Sequence, residues 1–337
     1  MTSRNCVRIL WCVLLLGCSV PPLFAQADDG DEAPKADSQE EILQESKKLC
    51  AILLEKAKQG VPVPVGDAFR RVADPQMQAK MEEALMPLLQ SDNPIAQREA
   101  AKSLVSLLRG NQAKLDQLRP QVIEIVMAFY EESQYSRYPY NLQQLLIDLN
   151  SMDEVLTSLG KRLESEDFTK QIAAASVLVT ITRNNTANRE RMTPNVVATL
   201  NSLLDQRISD NQASQIADIL ESLGPAAVEA VPALKRQMHR VDQWAKPGIA
   251  AAILEIQPDD PEAVQTLIYA IANKTINAES AANSLAARVS AKVAKAAIEE
   301  ALAEGDLLED QEKTLQEMIK KVGKQEEAFG RSPKLPY

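Results

Sequence analysis

The chain has 337 residues, 45% of them apolar but only 4% aromatic, with 11 glycines and a formal net charge of −10. A core so poor in rings must be built from Ala, Leu, Ile and Val, and so few glycines argue against Gly-rich phosphate loops and many-turned β folds. The acidic balance disfavours nucleic acid and anionic membrane as partners, because both demand a basic face.

Residues 1–27 have the pattern of a secretory signal. Arg4 and Arg8 give the positive start, Ile9 to Gly17 the apolar run, and Ala25-Gln26-Ala27 a small-x-small cleavage site before Asp28. The expectation is export to the periplasm or medium, with cleavage after Ala27. The apolar run is shorter than the roughly 20 residues a membrane-spanning helix needs, so no membrane span is expected. A rival reading stays open: Leu15-Leu16-Gly17-Cys18 resembles a lipoprotein signal, in which Cys18 would carry a lipid anchor. Cys6, Cys12 and Cys18 all fall in this segment, which leaves Cys50 alone and without an internal disulfide partner. Cys50 reads as a small apolar core residue, with intermolecular pairing or reactivity as the alternative.

Residues 28–40 are acidic and almost free of apolar side chains, the composition of a disordered spacer. A helical pattern starts near Glu41 with Ile42, Leu43, Leu49, Ile52 and Leu53. Gly60-Val-Pro-Val-Pro-Val-Gly66 interrupts it, since alternate prolines forbid helix. From Asp74 short amphipathic helices follow one another, and no stretch alternates with period two. Several helix starts pair a capping residue with proline: Asp74-Pro75, Asn93-Pro94, Thr193-Pro194 and Asp260-Pro261. The helical domain is placed at 41–323 and a fraying tail at 324–337.

Phe129-Tyr-Glu-Glu-Ser-Gln-Tyr-Ser-Arg-Tyr-Pro-Tyr140 departs from this pattern. It joins a helix over 121–132 to one over 141–150 and holds Tyr130, Tyr135, Tyr138 and Tyr140 beside Arg137. Tyrosine combines a large ring with a water-tolerant hydroxyl, so a surface cluster would suit partner contact. The alternative is that the rings pack over helix ends. Trp244 poses the same choice between surface anchor and repeat packing.

The chain repeats itself. Residues 104–123 slide without a gap onto 178–197, matching Leu104 with Leu178, Val105 with Val179, Arg109 with Arg183, Asn111 with Asn185, Ala113 with Ala187, Pro120 with Pro194 and Val122 with Val196. The offset equals two units of about 37 residues. Small residues recur in Arg98-Glu-Ala-Ala, Gln171-Ile-Ala-Ala, Gln215-Ile-Ala, Ile249-Ala-Ala-Ala and, more weakly, Ser280-Ala-Ala-Asn. They let neighbouring helices approach closely.

In Leu223-Gly-Pro-Ala-Ala-Val-Glu-Ala-Val-Pro-Ala-Leu234, Gly224 ends one helix and Pro225 begins the next. Val228, Val231 and Leu234 then share one face, and Pro232 should bend the helix. This stretch resembles the first helix of a HEAT repeat, closest to the short variety first described in phycobilisome lyases. The Arg-x-Asn turn with Pro and two apolar residues after it is similar to armadillo repeats. The resemblance implies an all-α solenoid, a right-handed superhelix of about six or seven stacked antiparallel helix pairs. Asp92-Asn-Pro-Ile-Ala-Gln-Arg98 is similar to the HEAT turn whose Asp and Arg form a ladder between repeats. Later units carry Gln where Arg98 stands, so stacking is expected to rest on apolar contact. Leu104, Leu107, Leu178, Ile181, Leu220, Val231, Leu234, Ile253 and Leu285 are the expected core.

The search for chemistry is negative. His239 is the single histidine, which excludes His-based metal clusters and disfavours a Ser-His-Asp triad. It reads as a cation at a helix C-terminus. No HExxH, CxxC or Gly-rich loop occurs, so no metal or cofactor is expected. Arg183-Asn-Asn-Thr-Ala-Asn-Arg-Glu-Arg191 reads as a polar loop, either simply solvated or open to an acidic partner. The expectation is a non-catalytic exported scaffold that binds an unknown protein or peptide. Chromophore lyase activity and DNA-alkylation repair are implied only by resemblance, and export and acidity argue against both.

Overall fold

The computed structural model describes residue 44 and residues 75–132, 140–304 and 307–329. The signal segment, Cys18, Cys50, the spacer and the Val-Pro-Val-Pro stretch lie outside these residues. Among the described residues all regular structure is helical and no strand occurs. The chain divides into two compact units, ending at Gln117 and beginning at Leu118.

The first unit pairs α1 (Pro75–Leu89) with α2 (Pro94–Leu107). Asn93 caps α2 as expected: its Oδ1 accepts from the Ile95 and Ala96 amides at 3.0 and 3.2 Å, and Pro94 follows at the first helical position. Leu85, Leu88 and Leu89 are buried, as are Ala100, Ala101, Leu104 and Val105 on α2.

The second unit takes up α3 (Gln112–Glu132) from Leu118 and continues with α4 (Tyr140–Asp148), α5 (Met152–Leu163), α6 (Phe168–Thr182), α7 (Thr186–Leu204) and α8 (Asp210–Leu223). A 3-10 segment, Gly224–Ala230, leads into α9 (Val231–Arg240). Then come α10 (Lys246–Ile256), α11 (Pro261–Ala272), α12 (Ala278–Arg288), α13 (Ala291–Ala303) and α14 (Glu309–Phe329). Helices pack in two layers. One runs α5, α7, α9 and the other α4, α6, α8, α10, α12, each helix lying against the next in its layer. The pairs α5–α6, α7–α8, α9–α10, α11–α12 and α13–α14 also pack across the layers. This is an α-solenoid. Its second layer is the small-residue layer: Ala173, Ala174, Ala217, Ala250 and Ala252 are buried in it. Methyls instead of larger groups at the seam leave room for close approach of the helix backbones.

All nine residues expected in the core are buried. The repeated block is equally plain in space. Asn185 caps α7 by accepting from the Asn188 amide at 3.0 Å, and Asn111 accepts from the Lys114 amide at 3.3 Å at the head of α3. Pro194 and Pro120, each nine residues beyond its Asn, then sit inside long helices.

That placement corrects one expectation. Thr193-Pro194 does not start a helix, because Asn185 has already capped it. Thr193 instead donates its hydroxyl to the Arg189 carbonyl at 2.7 Å. The hinge at 223–234 needs a second correction. Gly224 ends α8 at φ 60°, a left-handed conformation that glycine adopts without strain. The bend, however, falls at Ala227 (φ −98°, ψ 17°), and Pro232 lies in the first turn of α9, where its missing N–H costs nothing. Val228 therefore leaves the Val231–Leu234 face and is 52% exposed. At the C-terminal end, α14 runs to Phe329, past the expected boundary at 324.

Candidate functional site

Of the four clustered tyrosines, Tyr130 alone has its side chain among the described residues. Tyr130 is buried at 4%, its ring edge-on to Phe129 at 6.0 Å, so it packs at the end of α3 and offers no surface to a partner. The apolar ring outweighs its single hydroxyl once helix ends cover it. Tyr135, Arg137 and Tyr138 lie outside the described residues, and Tyr140 opens α4 with its side chain outside them. Trp244 is 43% exposed in the α9–α10 turn.

The arginine-rich stretch 183–191 is corrected from loop to helix. Arg183 ends α6, Asn185 caps, and Thr186 onward is α7. Two of its arginines have internal partners. Arg189 donates to the Leu223 carbonyl at 2.8 Å, covering the open end of α8, and Arg191 meets Asp153 at 2.8 Å. His239 does sit in the last turn of α9, with Nε2 2.6 Å from Glu262 Oε1.

The same logic runs through the solenoid and adds polar links to the apolar stacking expected from the sequence. Side chains of one repeat hold the backbone or charges of the next. Gln237, buried, donates to the Leu204 carbonyl. Gln171 donates to the Leu163 carbonyl at 3.0 Å, so at that position Gln closes a helix end. Arg162 bridges Glu124 and Glu131, and Arg236 pairs with Asp205. Apart from Gln171–Leu163, which joins the two helices of one pair, these contacts span about one repeat in sequence, which is why no local motif announces them.

One such network collects charge on the second layer. Arg288, in the last turn of α12, donates to Glu255 on α10 at 2.7 Å, to Glu221 on α8 at 2.5 Å and to Ser284 at 2.8 Å. It thereby ties three consecutive helices of the layer together. Asp218, one turn before Glu221, adds a further carboxylate. Water reaches Asp218, yet protein surrounds it densely; burial, and then the neighbouring Glu221, push its carboxyl up to about 6. Glu221 is also raised, chiefly by burial, with Arg288 opposing and Glu255 adding. Glu221 and Glu255 both lie in the last turn of their helices, where the macrodipole disfavours negative charge. The surroundings of Asp218 and Glu221 thus oppose their ionisation, while Arg288 favours that of Glu221. One arginine against three carboxylates leaves an acidic surface suited to receiving a cation. Sequence reasoning missed it because its members lie on three helices, 34 and 33 residues apart.

Among the described residues no group of three or more His, Cys, Asp or Glu is placed to hold a metal ion, and no helix is long and apolar enough to cross a membrane. No family model matches this sequence, and no curated protein matches it. Among solved structures, the chain is similar to the complex of CpcE and CpcF of phycocyanin lyase from Nostoc sp. PCC7120, at 16% identity and a TM-score of 0.34, covering 72% of this chain and 94% of that one. By its own packing the chain is a helical-repeat protein, an α-solenoid.

Proposed function

We propose that this protein is an exported, non-catalytic scaffold whose second helical layer receives a basic segment of a partner protein. The observation that supports this most is the acidic patch in which Glu221 and Glu255 flank Arg288 and Asp218 adds a carboxylate beside Glu221. An incoming lysine or arginine would pair with Asp218 and gain the Coulomb attraction of the whole patch. Repeat proteins use such layers for extended chains, because each repeat presents the same face again. The protein carries no chemistry of its own in this reading.

Binding of Lys/Arg-containing peptides, measured by fluorescence anisotropy, tests it. Affinity should be full at pH 7.5 and fall as the pH drops through about 6, since Asp218 then gains its proton and the patch loses charge. Asp218→Asn should reduce that pH dependence to what Glu221 contributes and weaken binding about tenfold at pH 7.5. Equal binding of acidic and basic peptides would sink the reading. Export is tested separately by intact mass of secreted material. The expected mass starts at Asp28, whereas a diacylglycerol adduct on Cys18 would establish the membrane-anchored form.

A further inference from the structure

Trp244, Ile276 and Leu308 stand at intervals of 32 residues, and all three are exposed large apolar side chains, at 43%, 89% and 67%. Each lies at the entry to a helix: Trp244 before α10, Ile276 before α12, Leu308 before α14. These entries are neighbours in space. Asn277 donates its Nδ2 to the Trp244 carbonyl at 2.6 Å, Gln311 donates to Asn273 at 2.9 Å, and Lys274 meets Asp310 at 3.2 Å. The three side chains therefore mark a strip along one edge of the solenoid, stepping roughly 8–10 Å per repeat. Singly exposed apolar residues are ordinary, but three in line at the repeat spacing form a patch that association would bury.

Charge along the strip is polarised. The Trp244 end carries the cations, exposed Arg240 and half-buried Lys246, beside Asp242 and Asp210, whose Oδ2 accepts from the Asp242 amide at 3.0 Å. The Leu308 end carries exposed Glu304, Glu309 and Asp310, of which only Asp310 meets a lysine among the contacts described above. We propose that this edge is an isologous interface with a second copy of the same chain, related by a twofold axis at Ile276. The axis sets Ile276 on Ile276, Trp244 on Leu308 of the second copy, and Arg240 and Lys246 opposite Glu304 and Glu309. A slip of one repeat toward the Trp244 end would face Lys246 with Lys274, so charge also selects the register. The carboxylates beside Leu308 repel an anionic lipid surface.

The interface is independent of the acidic patch and is tested by sedimentation velocity on the mature protein. A concentration-dependent dimer is expected below about 100 μM, the weak range suited to a small interface. Ile276→Asp should weaken it at least about tenfold. Its melting curve should stay that of the parent, because the residue is almost fully exposed. Glu309→Lys should also weaken it, and Glu309→Lys combined with Lys246→Glu should restore it, a rescue that only charge pairing across the axis explains. A monomer throughout this range overturns the proposal. So does a dimer indifferent to Ile276→Asp, and so does a monomer that binds phosphatidylcholine vesicles through Ile276.

Discussion

Leu178→Ala should lower the stability of the second unit by about 2–5 kcal/mol, read as a drop in denaturation midpoint. Leu178 has no solvent exposure and sits in the middle of α6. That helix packs against α5 and α7 across the layers and against α4 and α8 within its own. Its other buried positions include Ala173, Ala174 and Ala175, methyl-sized groups that cannot swing into a hole left by a leucine. Little collapse is available, so the cost belongs in the upper half of that range. Val228→Ala is the matched control. It removes apolar atoms from a side chain that is half exposed, and should change the midpoint by less than about 0.5 kcal/mol. Had Val228 stayed on the Val231–Leu234 face, the two substitutions would behave alike. A loss below about 1 kcal/mol for Leu178→Ala would mean that the α6 seam is not packed as described.

The contrast between those two residues shows what the sequence carries and what it does not. Periodicity decides which face of a regular helix is buried, and every core residue chosen on that basis is buried. It fails at Val228 because the geometry there is not α-helical: one residue at φ −98° and ψ 17° resets the phase. The Asn93 cap was legible, since a cap needs only the next two or three amides, whereas the Asn185 cap lay in a stretch that read as a loop. Thr193-Pro194 imitates a cap, and an earlier Asn outranks it. The acidic patch was not legible at all. Asp218, Glu221, Glu255 and Arg288 look like solvated charges one at a time, and become a site only when the solenoid brings three helix ends together. The edge strip has the opposite history. Its 32-residue interval is printed in the sequence, but exposure is what separates Trp244, Ile276 and Leu308 from core residues of the same type.

Asp260→Ala should cost about 2–4 kcal/mol, more than a capping residue alone provides. Asp260 is 2% exposed and does two jobs with two oxygens. Oδ1 accepts from the Ala263 amide at 3.1 Å and caps α11, while Oδ2 lies 2.6 Å from the Lys235 ammonium on α9. The hydrogen bond to Asp260 is the first cause that raises the lysine above 10.5, ahead of the burial that opposes it. A raised lysine contributes stability that is fully present below its unfolded value and is lost only as the pH rises through the folded one. The Lys235 share of the loss should therefore be constant between about pH 7 and 9 and shrink only in strong alkali. Asp260→Asn separates the two jobs. The amide oxygen still caps α11, so the loss should fall to about half, and what remains is the charge-assisted bond. Lys235→Met makes the reciprocal cut and leaves a buried carboxylate with its cap but without its cation. In a double-mutant cycle, Asp260→Asn with Lys235→Met should cost less than the sum of the singles by about 1–2 kcal/mol. Additive losses would show that the ammonium reaches Glu262, 3.5 Å away, equally well and that the α9–α11 link does not depend on Asp260.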